Sequence, residues 1–251
     1  MEMKLAFTRL SAATLMAAIL ALGAGARRLS TGQHPAAPSP AANLDDRGTF
    51  VISLEGRPIG TERFTIRSSA DKIEAEAEIQ LRTGQGGKSV AVKCHPELVL
   101  DPQLEPLTYI VNQKGTQEFH LEVDFRVSPA ASRLRLAGHT QDDERDFALS
   151  KDVVILDDNV IHHYQLLVSR FTLKPEKKQT FNAYIPQEAL PGVVTLEEVG
   201  NEEVELNGRK VPLDHLLFSA ELARIDLWVD SQKHLQRFYN SESQIDAVRS
   251  K

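Results

Sequence analysis

Glu62 is the side chain whose position most strongly suggests chemistry. Phe64 and Ile66 follow it at alternate positions and are apolar. Because successive side chains of a strand point to opposite faces, Glu62 belongs to the apolar face. A carboxylate there needs a partner or takes a raised pKa. We expect Glu62 to pair with an Arg of a neighbouring strand or to line the mouth of a cavity. A bulge at Gly60 would instead return it to solvent.

Two adjacent histidines, His162 and His163, follow the acidic pair Asp157 and Asp158. Neighbouring side chains on a helix point about 100° apart, so the two imidazoles do not converge on one metal ion. The other histidines are scattered along the chain. We therefore predict no metal site, and we expect one of the two histidines on a buried face and the other in water.

Residues 82–89 read Arg-Thr-Gly-Gln-Gly-Gly-Lys-Ser and end like a phosphate-binding loop. Arg82 stands where that motif needs its first glycine, and the alternating residues that follow predict a strand. A phosphate-binding loop needs a helix N-terminus at that point. The segment is therefore interpreted as a glycine turn. The chain also lacks the G-x-S-x-G motif of acyl-transfer enzymes. No catalytic residue and no cofactor is predicted.

Strict alternation of apolar and polar residues dominates the chain from residue 48 onward. Residues 48–67 form the first hairpin, with a turn at residues 55–58. Residues 72–82 are rich in Ala and Glu, which favour helices, but their period of two predicts a strand. Asn207-Gly208 marks another tight hairpin. About twelve to fifteen strands are predicted in this way, mostly joined by hairpin turns and therefore antiparallel.

One segment has helical spacing instead. Its apolar residues are Val160, Ile161, Tyr164, Leu167, Val168 and Phe171. They predict a helix over residues 159–170, with Asp157 or Asp158 as its N-cap. The predicted fold is all-β, a large curved antiparallel sheet or open half-barrel with this helix packed on it or plugging it.

The first 26 residues are typical of a secretory signal peptide. Lys4 and Arg9 precede an apolar stretch at residues 10–22, and cleavage is predicted after Ala26. Residues 27–47 are rich in Pro and Ala and predict a disordered linker. Residues 48–251 are predicted to form a single β-rich domain. We expect a periplasmic or secreted protein with no membrane span after signal cleavage.

The charge and cysteine content of the chain limit the partners and bonds that we expect. The formal net charge is −6 and basic residues form no cluster, so nucleic acid is not an expected partner. The single cysteine, Cys94, continues an apolar alternation with Val90 and Val92. It cannot form an internal disulfide, and it is predicted to be a buried, inert thiol.

Two stretches resemble exported bacterial families of unknown function. They are the opening residues 48–64 and the late segment Ile225-Asp226-Leu227-Trp228-Val229-Asp230, which is followed by Leu235-Gln236-Arg237 and Val248-Arg249. Such families are similar in architecture to periplasmic lipoprotein carriers of the LolA/LolB kind. The resemblance implies a curved antiparallel sheet around an apolar cavity that a helix plugs, and it carries no catalytic residues.

Three functions remain open on these observations. The first is non-enzymatic binding of an apolar or amphipathic ligand, a lipid or a lipid-linked glycan, in the concave face. The second is a structural or protein-interaction module with a filled core and an envelope protein as partner. The third is a hydrolase with a dispersed site. The predicted ligand-binding residues are Glu62, Phe64, Ile66, Phe119, Val123, Tyr164 and Trp228.

Overall fold

The structure is a computed structural model that describes residues 44–85, 88–115, 117–171, 177–221 and 223–250. Their strands all join one sheet, which confirms the all-β prediction. The strands are β1 (Asp46–Leu54), β2 (Arg57–Ser68), β3 (Ile73–Gln85), β4 (Lys88–Leu100), β5 (Pro106–Lys114), β6 (Phe119–Asp124), β7 (Ala130–Leu136), β8 (Asp143–Phe147), β9 (Val154–Ile155), β10 (Lys178–Ile185), β11 (Leu190–Leu206), β12 (Arg209–Ser219), β13 (Arg224–Val229), β14 (Leu235–Asn240) and β15 (Ile245–Ser250). The helix α1 spans His162–Arg170.

The sheet is an antiparallel meander joined in its middle by its first and last strands. Its order is β8-β7-β6-β5-β4-β3-β2-β1-β15-β14-β13-β12-β11-β10-β9. β1 pairs with β15, and the short β9 pairs in parallel with β10. A sheet of this width has to coil, because each strand is twisted relative to its neighbour. The concave side of the coil encloses α1 and holds the main apolar core.

The first hairpin has the predicted form. Glu55 and Gly56 make its two-residue turn with φ values of 51° and 75°, as a twisted hairpin requires. The pairing of β1 with β2 shifts register between Ile52 and Ser53 of β1. The irregular part of β2 opposite them therefore precedes Glu62 in the chain. A Cβ atom at Gly60 would overlap with the carbonyl group of Gln80. Gly60 thus permits close approach of β2 to β3 and does not turn Glu62 outward.

Two other strand predictions are confirmed. Residues 72–82 fall mainly within β3, so the period of two outweighed helical propensity. The segment after the glycine turn is β4, a strand and not a helix, which excludes a phosphate-binding loop. Gly86 and Gly87 of that turn lie outside the described residues. β1 begins at Asp46, slightly before the predicted start of order at residue 48.

The predicted start of the helix was wrong. Asn159 has φ of 60°, a left-handed conformation that cannot begin an α-helix, and the first helical residue is His162. Ile161 occupies the N-cap position and provides no side-chain hydrogen bond. Asp157 and Asp158 are therefore not caps. The chain turns once more before the helix begins, with the Val160 N–H donating to the Asp157 carbonyl.

Side chains bring the two ends of the sheet together. Tyr184 of β10 contacts the ring of Phe147 of β8 at a centroid distance of 5.0 Å and that of Phe125, just after β6, at 6.3 Å. β8 and β9 remain the terminal strands of the sheet. β8 is exposed and carries mostly charged residues, which protect its edge from pairing with another chain.

The long hairpin of β11 and β12 builds a second, smaller core. Its pairing is interrupted between Glu198 and Gly200, and its tip is the predicted turn at Asn207 and Gly208. The side chain of Asn207 donates to the Arg249 carbonyl, so the tip reaches the end of β15. The second core contains Val204, Leu206, Leu213 and Trp228.

Candidate functional site

Glu62 binds the N-terminus of the enclosed helix. Its Oε2 atom accepts the Ile161 N–H at 2.7 Å, and its Oε1 atom accepts the His162 N–H at 2.7 Å. The Nδ1 atom of His162 lies 2.9 Å from the same Oε1 atom. The first amides of a helix have no intrahelical acceptor and carry partial positive charge. A carboxylate delivered by β2 therefore supplies the cap that the local sequence lacks.

The prediction for Glu62 was thus correct about its burial and wrong about its partner. Parity placed the side chain on the buried face, and its exposed fraction is 0%. The expected Arg partner is instead a histidine and two backbone amides of α1. Phe64, the next side chain on that face, stacks on the His162 ring at a centroid distance of 5.9 Å. Glu62 and Phe64 together hold His162 against β2.

The expectation that one histidine of the pair faces water was wrong. His162 and His163 are both fully buried, because the coiled sheet covers α1 on more than one side. The Asp157 N–H donates to Nδ1 of His163 at 3.1 Å, which places the proton of the neutral ring on Nε2. In the described part of the chain, Nε2 of either ring finds no hydrogen-bond partner. Burial lowers the pKa of His163 well below its usual value, and His162 lowers it further.

Asp157 is a buried acceptor in the same region. Its carboxylate accepts the Tyr109 hydroxyl at 2.5 Å and both the backbone and the side-chain N–H of Gln187 at 2.9 Å. Burial raises the pKa of Asp157 to about 6, although these donors oppose the rise. Asp157 thereby connects β5, the segment before α1 and the turn after β10. Burial also raises the pKa of Tyr109 and that of the Cys94 thiol, in keeping with an inert cysteine.

These contacts position the helix and do not form a reaction centre. Glu62, His162 and His163 have no exposed surface, so a substrate cannot reach them in this conformation. Within the described residues, no three His, Cys, Asp or Glu side chains are arranged to hold a metal ion.

A pocket opens at one end of the half-barrel, between α1 and the ends of β10 to β14; we call it the mouth pocket. Its volume is about 60 Å³. Most of its lining is apolar, and its polar groups are Asp157, Asp158 and Asn240. The lining residues are Leu156, Asp157, Asp158, Tyr164, Ala183, Ile185, Leu190, Gly192, Val193, Val194, Phe218, Ala220, Ala223, Ile225 and Asn240. Val193 at its rim is 60% exposed, so the pocket communicates with solvent.

The structure distributes the predicted ligand-binding residues over three places. Tyr164 lines the mouth pocket, where its ring contacts Phe218 and Phe238. Glu62, Phe64, Ile66 and Val123 are buried in the main core, and Phe119 is half-buried against it.

Trp228 lies apart from these residues, in the second core. Its indole N–H donates to Glu202, its ring stacks on His215 at 5.0 Å, and Arg237 lies over its other side at 5.0 Å. Trp228 therefore packs in the second core and does not line the mouth pocket.

Sequence reasoning missed most of the mouth pocket. Its walls come from strand ends between residues 183 and 240, which no motif marks. One signal was available: Asn240 shares a parity with Phe238, so a polar residue falls on an apolar face, as Glu62 does.

Comparison with known proteins supports the fold. No family model matches the chain, and no curated protein matches it. Among solved structures, the chain is similar to the beta-barrel-like protein of domain of unknown function DUF1849 from Brucella abortus, at a TM-score of 0.56 and 9% identity, over 84% of this chain and 98% of that one. It is also similar to a DUF1089 family protein from Pseudomonas aeruginosa, at a TM-score of 0.37 and 13% identity, over 69% of this chain and 86% of that one. At 9% identity the first likeness establishes a shared fold and nothing further.

Proposed function

We propose that this chain is a non-enzymatic protein of the bacterial envelope that binds the apolar part of an amphipathic ligand, a lipid or a lipid-linked glycan, in the mouth pocket. The observation that carries the proposal is an apolar pocket that communicates with solvent between α1 and the open end of the sheet. Pockets with apolar walls and a few polar groups are the usual form of ligand sites.

The pocket limits how much of a ligand can enter. Its volume of about 60 Å³ is less than half of the roughly 150 Å³ cavity that accommodates a benzene ring. The deeper concave face is filled by α1 and by side chains such as Phe64 and Val123. The pocket therefore takes only a short segment of the ligand, and the rest of the ligand lies outside it.

A structural role is the second candidate, and the packing of the concave face favours it. Glu62 and His162 hold α1 inside the sheet through buried hydrogen bonds, and neither of them lines the mouth pocket. A module of this kind would present its outer surface to an envelope protein partner and keep its core closed.

Native mass spectrometry of the protein purified from its own host distinguishes the two candidates. Ligand binding predicts a co-purifying small molecule on the wild type. The variant Ala183→Leu fills the pocket and is expected to lose that molecule. Ala91→Leu, at an exposed site on β4, is the matched control and should retain it. A wild-type mass with no adduct, from freshly isolated envelope, would favour the structural role.

Export is part of the proposal and rests on the N-terminal sequence. Lys4, Arg9 and the apolar residues 10–22 support transport out of the cytoplasm. Within the described residues no helix is long and apolar enough to cross a membrane. Intact-mass measurement of protein released from the periplasm should give a chain that starts after Ala26. Full-length protein confined to the cytoplasmic fraction would contradict export.

A further inference from the structure

We infer that the mouth pocket selects ligands whose polar end is neutral and both donates and accepts hydrogen bonds, such as an alcohol, and that it rejects ligands ending in a carboxylate. The inference rests on the proposed function, since it concerns the same pocket. The evidence for it is the position and charge of the polar groups that line the pocket.

Carboxyl groups surround the polar end of the pocket. Asp157 and Asp158 line it, and Glu188 of the turn after β10 hydrogen-bonds with the Asp158 side chain. In the described part of the chain, none of the three forms an ion pair with a basic residue. Arg145 faces the same turn from β8, but it is paired with Asp143 at 2.7 Å. A ligand carboxylate entering here would meet the negative charges of Asp157 and Glu188 without a compensating cation.

Asn240 adds a hydrogen-bond donor. It is only 3% exposed and lies on the interior face with Phe238. Its Oδ1 atom accepts the backbone N–H groups of Glu242 and Ser243 at 3.0 and 3.1 Å. Its NH2 group has no acceptor among the described residues. Asn240 lines the pocket, so this NH2 group can donate to a ligand oxygen there.

Asp158 complements Asn240 as an acceptor or donor. Burial raises the pKa of Asp158 to about 8, and the charges of Asp157 and Glu188 add to the rise. The Tyr164 phenol is influenced by the charge of Asp158, and the Tyr109 phenol donates to Asp157. Both phenols stay neutral at pH 7, since burial raises the pKa of each. The polar lining of the pocket therefore combines the neutral carboxyl of Asp158 with the amide donor of Asn240, and these two groups suit a hydroxyl group.

Two probes that differ only in their polar end test the inference. 1-Butanol and butyrate have chains short enough for the pocket, and binding is followed at pH 7 by chemical-shift changes of the backbone amides of the ¹⁵N-labelled protein. We expect 1-butanol to bind at least about tenfold more tightly than butyrate. The perturbed amides should be those of the pocket lining, and Ala183→Leu should abolish the changes.

Two variants identify the residues that distinguish 1-butanol from butyrate. Glu188→Gln, at an exposed position, removes a charged carboxyl next to Asp158 and should narrow the difference between the affinities of the two probes several-fold, chiefly through tighter butyrate binding. Asn240→Asp keeps the acceptor for Glu242 and Ser243 but replaces the free NH2 group, and should weaken 1-butanol binding. Equal affinities of the wild type for both probes would overturn the inference and leave the pocket as a binding site. Absence of any pocket shift with either probe would overturn both the inference and the proposed function.

Discussion

Glu62 caps a helix whose N-cap residue, Ile161, lies 99 residues later in the chain. In most helices the N-cap residue, which directly precedes the first helical residue, has a side chain that accepts backbone N–H groups of the first turn. Here Ile161 holds that position and has no acceptor, so the cap comes from a neighbouring strand. The arrangement couples the stability of α1 to the correct register of β2, because a shift by one residue would turn Glu62 to the opposite face.

Replacing Glu62 with Gln should destabilise the protein by about 2 kcal/mol. The amide keeps one acceptor oxygen but puts an NH2 group against a helix N–H or the His162 ring, and it removes the negative charge at the helix N-terminus. Urea unfolding monitored by circular dichroism measures the change. Glu78→Gln, at an exposed position of β3, is the matched control and should change the free energy of unfolding by less than about 0.5 kcal/mol. An equal effect of both substitutions would contradict the capping role.

His163 should make the protein less stable in acid. Its folded-state pKa lies well below the ordinary 6.5, so the unfolded chain binds the extra proton first. Stability from this group is complete above pH 6.5 and falls below it by up to about 1.4 kcal/mol per pH unit. In His163→Asn the side-chain oxygen can still accept the Asp157 N–H, and the variant should lack this dependence. Urea unfolding of both proteins from pH 8 to pH 5 tests the difference, and parallel curves would show that His163 does not cause it.

Asp158 should act in the opposite direction. Its folded-state pKa of about 8 lies above the ordinary 3.8, so the folded chain holds a proton that the unfolded chain releases. Stability from this group is present at low pH and declines as the pH rises to about 8. Asp158→Asn should therefore be more stable than the wild type by about 2 kcal/mol at pH 8.5 and equal to it near pH 4. Unfolding curves at the two pH values check this, and a variant destabilised at pH 8.5 would contradict it.

Sequence reasoning identified Glu62 but not its partners, for a physical reason. Parity along a strand is local, so Phe64 and Ile66 are enough to place Glu62 on the buried face. Which residue lies opposite depends on how the sheet coils over α1, and no local pattern encodes that contact. The same limit explains His162 and His163: spacing gives the angle between them, but not how much of the helix the sheet covers.

At the scale of elements, the strands were predictable because alternation is a property of each strand alone. The start of α1 was not, since the left-handed Asn159 breaks a segment whose apolar spacing continues through it. The folding of the β11–β12 hairpin into a second core was also not predicted. Its residues Val204, Leu206 and Leu213 alternate like those of an ordinary strand, and only the tertiary structure shows that they cover Trp228.

The packing of the second core can be tested by fluorescence, because the single tryptophan of the chain, Trp228, lies in it. Leu213, 1% exposed, packs in the cluster with Trp228. Leu213→Ala should cost about 3 kcal/mol and shift the tryptophan emission to the red, since it opens a cavity beside the indole ring. Val199→Ala, at a position 54% exposed, should leave both quantities unchanged. A red shift in the control, or none in Leu213→Ala, would contradict the proposed packing.

At the scale of the molecule, the two ends of the sheet should separate more easily than its centre. β1 and β15 hold the centre by backbone pairing, whereas the contact of Phe147 and Phe125 with Tyr184 is made by side chains. Phe147→Ala should therefore speed hydrogen exchange of the backbone amides in β7, β8 and β10, because local opening is governed by the local packing energy. Exchange in β1, β2 and β15 should remain as in the wild type.

Arg145→Ala is the control on the same strand, and it should not change these exchange rates. Its ion pair with Asp143 is exposed, and such pairs contribute at most about 1 kcal/mol. Faster exchange throughout the sheet in Phe147→Ala would show that closure between the two ends stabilises the entire coil, and that the sheet does not persist as an open half-barrel without it.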